Sequence, residues 1–242
     1  MESPIKILFL TTQTTHHTYF IQEIRKQWSD CRAVLEKTGA TPPFEVGHSS
    51  DILRDQYEIE HCLNGKNTQI SELVETVDVN NINDTKTLTV IQNWDPDIII
   101  DFGTRRVCKE IIAFKPDRIV NLHGGNPEEY RGLDSHLWAI YHNDFSGLVT
   151  TLHTLNQELD DGGIIDIMPI PLFKGMKTHQ FRRYNTEVCI QMVLSMLRTL
   201  ENGAGINIQP QKNKGRYYSF MPTVLKNISV QKFERYMAKI DE

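Results

Sequence analysis

The stretch "PDIIIDFGTRRVCKEIIAFKPDRIVNLHGG" (residues 96–125) decides how this chain folds. "PDIIIDFG" is a short apolar run ending in glycine, the pattern of a strand covered on both faces. "RRVCKEIIAF" follows with helical spacing of its apolar residues, and "RIVNLH" returns to a strand. Strand, helix and strand in that order make a βαβ unit, which joins parallel neighbours through a right-handed crossover. The second strand ends on Asn121 and His123, two polar side chains closing a run that is otherwise apolar.

The same alternation extends on both sides. "IKILFL" (5–10) reads as a first strand. Tyr19, Phe20, Ile24 and Trp28 share one face of a helix, and "RAVLE" (32–36) reads as a second strand. Residues 36–85 are less regular, with a helix "SDILRDQYEIEHCL" capped by Ser50 and a turn "NGKNTQ". "TKTLTVIQNW" and "LDSHLWAIYHND" read as helices, and "GLVTTLHTL" and "GIIDIMPIPL" are rich in β-branched residues. A long helix over about 178–201, a Gly-rich "ENGAG", "GRYYSF" and a short terminal helix complete the chain. The expectation is an α/β protein with a doubly wound, mainly parallel sheet, divided into a catalytic domain (1–203) and a short C-terminal appendage (204–242).

A chain of 242 residues can bury a substantial core. It holds no run of about 18 apolar residues that could span a bilayer. "MESPIKILFL" enters an apolar run without a basic leader or a small-residue cleavage site, which points to a soluble cytoplasmic protein. The net charge of −5 argues against a nucleic-acid partner held by a basic surface. The four cysteines, Cys31, Cys62, Cys108 and Cys189, form no CxxC pair, as expected of free thiols in a reducing compartment.

In doubly wound sheets ligands bind outside the carboxyl ends of the strands. That edge gathers Asn121, His123, Gly103 and the segment Thr11 to His17, with His153 and the carboxylates of "ELDDGG", Asp160 and Asp161, joining them. A neutral imidazole can take a proton from an incoming nucleophile near pH 7. An Asn amide can donate to a carbonyl oxygen that gathers charge, and a carboxylate can orient the imidazole and stabilise its charged form. Together they suit acyl-type transfer. There is no GxSxG and Cys108 falls on a helical pattern, so the nucleophile is expected from the substrate. Taken alone, Asn-x-His at a strand end is more often a capping and packing feature than a catalytic pair, and "LDDGG" also reads as a turn.

Asn121-x-His123, then Tyr130-Arg131-Gly132 and Trp138-Ala139-Ile140, resemble the signature of the folate-dependent formyltransferase family. "VTTLHTLNQELDDGG" resembles the same family's segment of a Thr-x-His leading into an Asp and a Gly, and "PDIIIDFGTRRV" its preceding strand and loop. The resemblance is good over about 95–170, holds by pattern only in the first 30 residues, and is poor elsewhere. It implies a Rossmann-like formyltransferase fold and transfer of a formyl group from N10-formyltetrahydrofolate to a primary amine, without a metal. Asn121, His123 and Asp160 match its catalytic positions. Gly103, Thr104, Arg105, Arg106, Val107 and Cys108, with Leu155, Glu158 and Asp161 of the later turn, match the segments that cradle the pterin.

The departures concern the acceptor. Gly124 and Gly125 stand where many members have Pro-Ser or Pro-Gly, which reshapes the loop over the amine pocket. "TTQTTHH" lacks the glycines that hold a phosphoribosyl phosphate in the purine-pathway members, and the chain leaves no room for the C-terminal barrel of the methionyl-tRNA members. "GRYYSFMP" resembles tails of the nucleotide-sugar branch. The acceptor expected on these grounds is a nucleotide-linked amino sugar, with a product for surface polysaccharide such as the lipopolysaccharide O-antigen. The rivals are glycinamide ribonucleotide or a siderophore amine as acceptor, or a non-catalytic folate- or nucleotide-binding module.

Thr12, Thr14, His16 and His17 are candidates for contact with sugar or phosphate, or a Thr-rich turn with exposed histidines. Tyr130 and Arg131 are candidates for substrate contact, with Arg131 either pairing a phosphate or bracing the loop. Lys214, Arg216 and Tyr218, beside Lys212 and Tyr217, combine charge with aromatic faces suited to a diphosphate and a base. The alternative for them is a solvated loop and an edge strand at a homodimer contact.

Overall fold

The structure, a computed structural model, describes residues 5–39, 41–156 and 160–240, so Glu158 lies outside the described residues. A seven-stranded sheet runs through the molecule in the order β3-β2-β1-β4-β5-β7-β8. Its strands are β1 (Ile7–Thr11), β2 (Cys31–Glu36), β3 (Glu75–Val79), β4 (Ile98–Phe102), β5 (Ile119–Gly124), β7 (Val149–Thr154) and β8 (Ile164–Pro169). From β3 to β5 all neighbours are parallel. β7 then pairs antiparallel with β5, and β8 antiparallel with β7. A separate two-stranded ribbon joins β6 (Tyr130–Gly132) to β9 (Arg216–Tyr218) in parallel. This is the doubly wound, mainly parallel sheet expected from the alternation.

Both faces are covered, which is why the strands are nearly continuous Ile, Leu and Val. On one face Ile98, Ile100, Val120 and Leu122 pack with Phe20 and Ile24 of α1 (Thr15–Arg25) and Val188 and Met192 of α6 (Thr178–Glu201). On the other, Leu8, Leu10, Ile99 and Ile119 pack with Ile91 and Trp94 of α3 (Thr85–Trp94) and Ile111 of α4 (Lys109–Ile112). Alternation along a strand therefore puts Asp101, Asn121 and His123 on the second face, at its carboxyl edge.

Some sequence expectations change in detail. The helix read over 105–114 is helical only in α4, because side chains outside the segment take its early N–H groups. Arg105 N donates to Glu36 Oε2 at 3.0 Å and Cys108 N to Asn83 Oδ1 at 2.7 Å. The helix expected to be capped by Ser50 is α2 (Ser49–Leu63), capped by His48 in a reciprocal box with Asp51. β3 escaped notice because its "ETVDV" is half exposed, an edge strand without an apolar run. β6 is only three residues long.

Residues 204–240 return to the body of the protein. β9 adds to β6, and α7 (Thr223–Met237) packs on α5 (Ser135–Tyr141). Phe233 and Met237 of α7 are fully buried in the same core as α6, with Phe233 edge-on to Phe181 at 5.7 Å.

Candidate active site

One cavity of about 410 Å³ opens at the carboxyl edge of the parallel strands. Its wall includes Asp101, the 103–107 loop, Asn121, His123, Gly124, His136, Leu155 and Asp160. Sheet register explains how three strands converge there: Asp101 of β4 lies opposite Asn121 of β5, and Asn121 opposite His153 of β7.

The hydrogen bonds fix the protonation of each group. His153, fully buried, has Nδ1 at 2.8 Å from the Thr154 carbonyl, and a carbonyl only accepts, so Nδ1 carries the proton. Nε2 is then a lone pair, and Asn121 Nδ2 donates to it at 3.1 Å. This bond sets the orientation of the Asn121 amide. Burial, and then the charge of His123, hold His153 below its ordinary pKa and keep it neutral.

His123 is oriented in the same way. Its Nε2 donates to the Tyr130 carbonyl at 2.7 Å, leaving Nδ1 as the basic nitrogen, 3.6 Å from Asp160 Oδ1. Asp160 is itself 5% exposed and tied from two sides: Gly132 N donates to its Oδ2 at 2.7 Å, and Gln211 Nε2 donates to its carbonyl at 2.8 Å. Its φ of 50° is left-handed, a conformation Asp tolerates better than most residues and one that turns the carboxylate inward. Asp161 lines a neighbouring hollow, not this cavity.

The loop that was expected to cradle a flat ring is rigidly braced. Glu36, ending β2 with no side-chain exposure, accepts from Arg105 Nε at 2.5 Å, Arg105 N at 3.0 Å and Ile82 N at 2.9 Å. Asn83 Nδ2 donates to the Arg106 carbonyl at 3.0 Å. At Gly103, φ is 81° and a Cβ would lie 2.4 Å from His17 Cε1, so only glycine fits. Glu36→Ala removes the acceptor of two backbone N–H groups, and the loss of stability is expected to be about 3 kcal/mol by urea unfolding. Little loss would mean that the loop is held from elsewhere.

The glycines after His123 have a packing reason. A Cβ on Gly124 would lie 2.7 Å from His136 Cε1, and Gly125 has a φ of 132°. His136 donates from Nε2 to the Val149 carbonyl at 2.7 Å, and burial lowers its pKa to about 4.

The remaining expected residues are dispersed. Thr14 caps α1, and His17 is bound to the Thr12 carbonyl at 3.0 Å and lies tilted against Phe102 at 4.5 Å. Burial lowers the His17 pKa to about 3 and also lowers that of His16; His17 is a neutral strut behind Gly103, and His16 packs on His17 and Phe102. Cys108 is the residue before α4, and Arg131 is a buried cation on β6. Lys214 lines the hollow that Asp161 shares, and Tyr130, Arg216 and Tyr218 line another with His142 and Asp144. Asp101, Glu36, His136 and the wall residues Arg54, Arg182 and Lys226 were not foreseen. The only signals for the first two were a lone carboxylate inside "IIIDF" and one closing "RAVLE".

No family model matches the chain. Solved structures do. A Mycobacterium tuberculosis protein provisionally assigned as a sugar N-formyltransferase superposes with a TM-score of 0.61 at 16% identity, over 89% of this chain and 75% of that one. WlaRD, a sugar 3N-formyl transferase solved in the presence of dTDP and 5-N-formyl-THF, gives 0.56 at 16% identity, over 90% and 70%. The chain has the formyltransferase fold. HypX from Aquifex aeolicus, solved in complex with tetrahydrofolic acid, gives 0.59 at 18% identity over 99% of this chain, which spans 35% of the HypX length. Among the described residues no helix is long and apolar enough to cross a membrane.

Proposed function

We propose that the protein is an N-formyltransferase that moves the formyl group of N10-formyltetrahydrofolate to the primary amine of a nucleotide-linked amino sugar. The observation that carries this reading is the wiring of Asn121, His123, His153 and Asp160 at the wall of one cavity beside the braced 103–107 loop. N10-formyltetrahydrofolate, when bound, supplies the activated formyl group. The site fits its flat ring in shape: the 103–107 loop and Leu155 line the cavity, with Val107 and Leu155 as apolar faces.

Each group then has one task. His123 Nδ1 is the free base and takes the proton of the attacking amine, because Nε2 is committed to Tyr130. Asp160 stabilises the imidazolium so formed, which gives that proton to the departing nitrogen of the co-substrate as the formyl C–N10 bond breaks. Asn121 gives one amide hydrogen to His153, and its second faces the cavity, where it meets the formyl oxygen as charge develops.

The sugar acceptor is supported by the fold shared with two proteins named for sugar formyl transfer and by the absence of a Gly-rich phosphate loop after β1. We place the enzyme in the cytoplasm as a homodimer, with residues 204–242 as a tail serving that contact, feeding surface-polysaccharide (O-antigen) synthesis. The test is incubation with N10-formyltetrahydrofolate and a panel of amino-sugar nucleotides, siderophore amines and glycinamide ribonucleotide. A 28-Da gain on an amino-sugar nucleotide alone is the expected mass result, 28 being the approximate mass of an added CO (~28). A gain on another amine overturns the acceptor, and folate-dependent gain on none overturns the activity.

A further inference from the structure

Asp101 is a buried charged residue that the chemistry above does not use. It interrupts the apolar run of β4 two residues before Gly103, is 6% exposed, and still lines the cavity. An apolar side chain would fill this position without the cost of desolvating a carboxylate. Thr104 Oγ1 donates to Oδ1 at 2.6 Å, and the carboxylate faces the cavity.

The surroundings do not compensate the charge. Glu36 at the end of β2 and Asp160 in the turn after β7 are both carboxylates that repel it. Asn121 and His153, in register on β5 and β7, are neutral, and the Arg105 guanidinium is held by Glu36. Burial, opposed by the Thr104 hydrogen bond and aided by Glu36 and Asp160, raises the Asp101 pKa to about 7. The protein thus keeps a two-oxygen acceptor on the cavity floor, short of donors.

An acceptor that faces a cavity and takes a single donor from its own protein is matched by a ligand that brings donors. We infer that Asp101 reads the co-substrate, its carboxylate accepting the paired N–H donors of a 2-amino-4-oxopyrimidine edge at the floor of the pocket formed by the 103–107 loop and Leu155. The inference rests on the folate reading above and adds to it the residue that selects the ring. A guanine base carries the same donor pair, so a guanosine nucleotide on the acceptor is the other source of this chemistry.

Titration calorimetry with tetrahydrofolate and, separately, with GDP, at pH 6 and pH 8, tests it. The ionised form binds, so ligand lowers the Asp101 pKa and affinity rises with pH. Wild type is expected to bind tetrahydrofolate about tenfold more tightly at pH 8 than at pH 6. Asp101→Asn keeps the shape and loses the charge. It should bind about 10- to 100-fold more weakly at pH 8, with no slope, as expected for one charge-assisted hydrogen-bonded pair. His123→Asn should keep the slope, and GDP binding should ignore Asp101.

Asp101→Ser is the second variant and must also give a level profile. Circular dichroism checks that both variants fold. An Asn variant that binds tetrahydrofolate as wild type does, or keeps the slope, overturns the inference and leaves the folate reading standing. A dependence on Asp101 that follows GDP overturns the assignment to the co-substrate. A wild type that binds no tetrahydrofolate overturns the folate reading itself.

Discussion

Replacing His123 by Asn is expected to slow formyl transfer by about 10²- to 10⁴-fold, the usual cost of losing a positioned general base. The structure makes the reason specific. Only Nδ1 can accept a proton, because Nε2 is spent on the Tyr130 carbonyl, and Nδ1 faces the Asp160 carboxylate at 3.6 Å. An Asn side chain can still donate a hydrogen bond, but it has no basic nitrogen. His123 is 6% exposed, so a second measurement must separate chemistry from folding. Circular dichroism and tetrahydrofolate titration should be close to wild type, while single-turnover formyl transfer falls. Near-normal turnover in a folded variant would remove the imidazole from the mechanism and leave His123 as a strut for β6.

Much of this was legible because parallel strands write their burial into the sequence. "IIIDF" and "RIVNL" could only be buried strands, and the polar residues closing them had to emerge at the carboxyl edge. Gly103, Asn121 and His123 meet for that reason, and the turn after the antiparallel β7 brings Leu155 and Asp160 to the same cavity. The wiring between them was not legible, since it depends on register between strands far apart in sequence. Nothing in "VTTLHTL" says that His153 lies opposite Asn121, or that its Nδ1 is held by its neighbour's carbonyl.

Other residues read two ways because the same local chemistry serves structure. A Thr- and His-rich loop after β1 looks like a ligand loop, yet Thr14 caps a helix and His17 supports Gly103. The basic and aromatic tail looks like a phosphate clamp, but Tyr218 stacks between Tyr130 at 5.6 Å and Trp138 at 5.1 Å, with Arg216 over its ring. Glu36 shows the converse. Nothing marks it locally, yet from the end of β2 it fastens the 103–107 loop across the sheet edge.

The pairing of Asn121 with His153 leads to the second large effect. Asn121→Ala should cost about 10²- to 10³-fold in single-turnover rate, as for other lost oxyanion donors, with folate affinity nearly unchanged. His153 touches no reacting atom in the proposed chemistry and acts through Asn121. Its Nε2 lone pair admits only the NH₂ end of the amide, so the remaining amide hydrogen faces the cavity. His153→Phe fills much of the same volume and removes that constraint, allowing the amide to present its oxygen instead. A loss of about 10- to 100-fold in rate is expected, from kcat and not from KM, because the amide stabilises charge that appears only as the reaction proceeds. The two losses should not multiply: with Asn121 already Ala there is no amide to orient, so the double variant should match Asn121→Ala alone. A fully multiplicative double variant would mean that His153 contributes by a separate route, through packing or through its effect on Asp160 at 3.8 Å. Asp160→Asn in the same backgrounds separates those routes: a contribution carried by Asp160 disappears with it, and one carried by Asn121 does not.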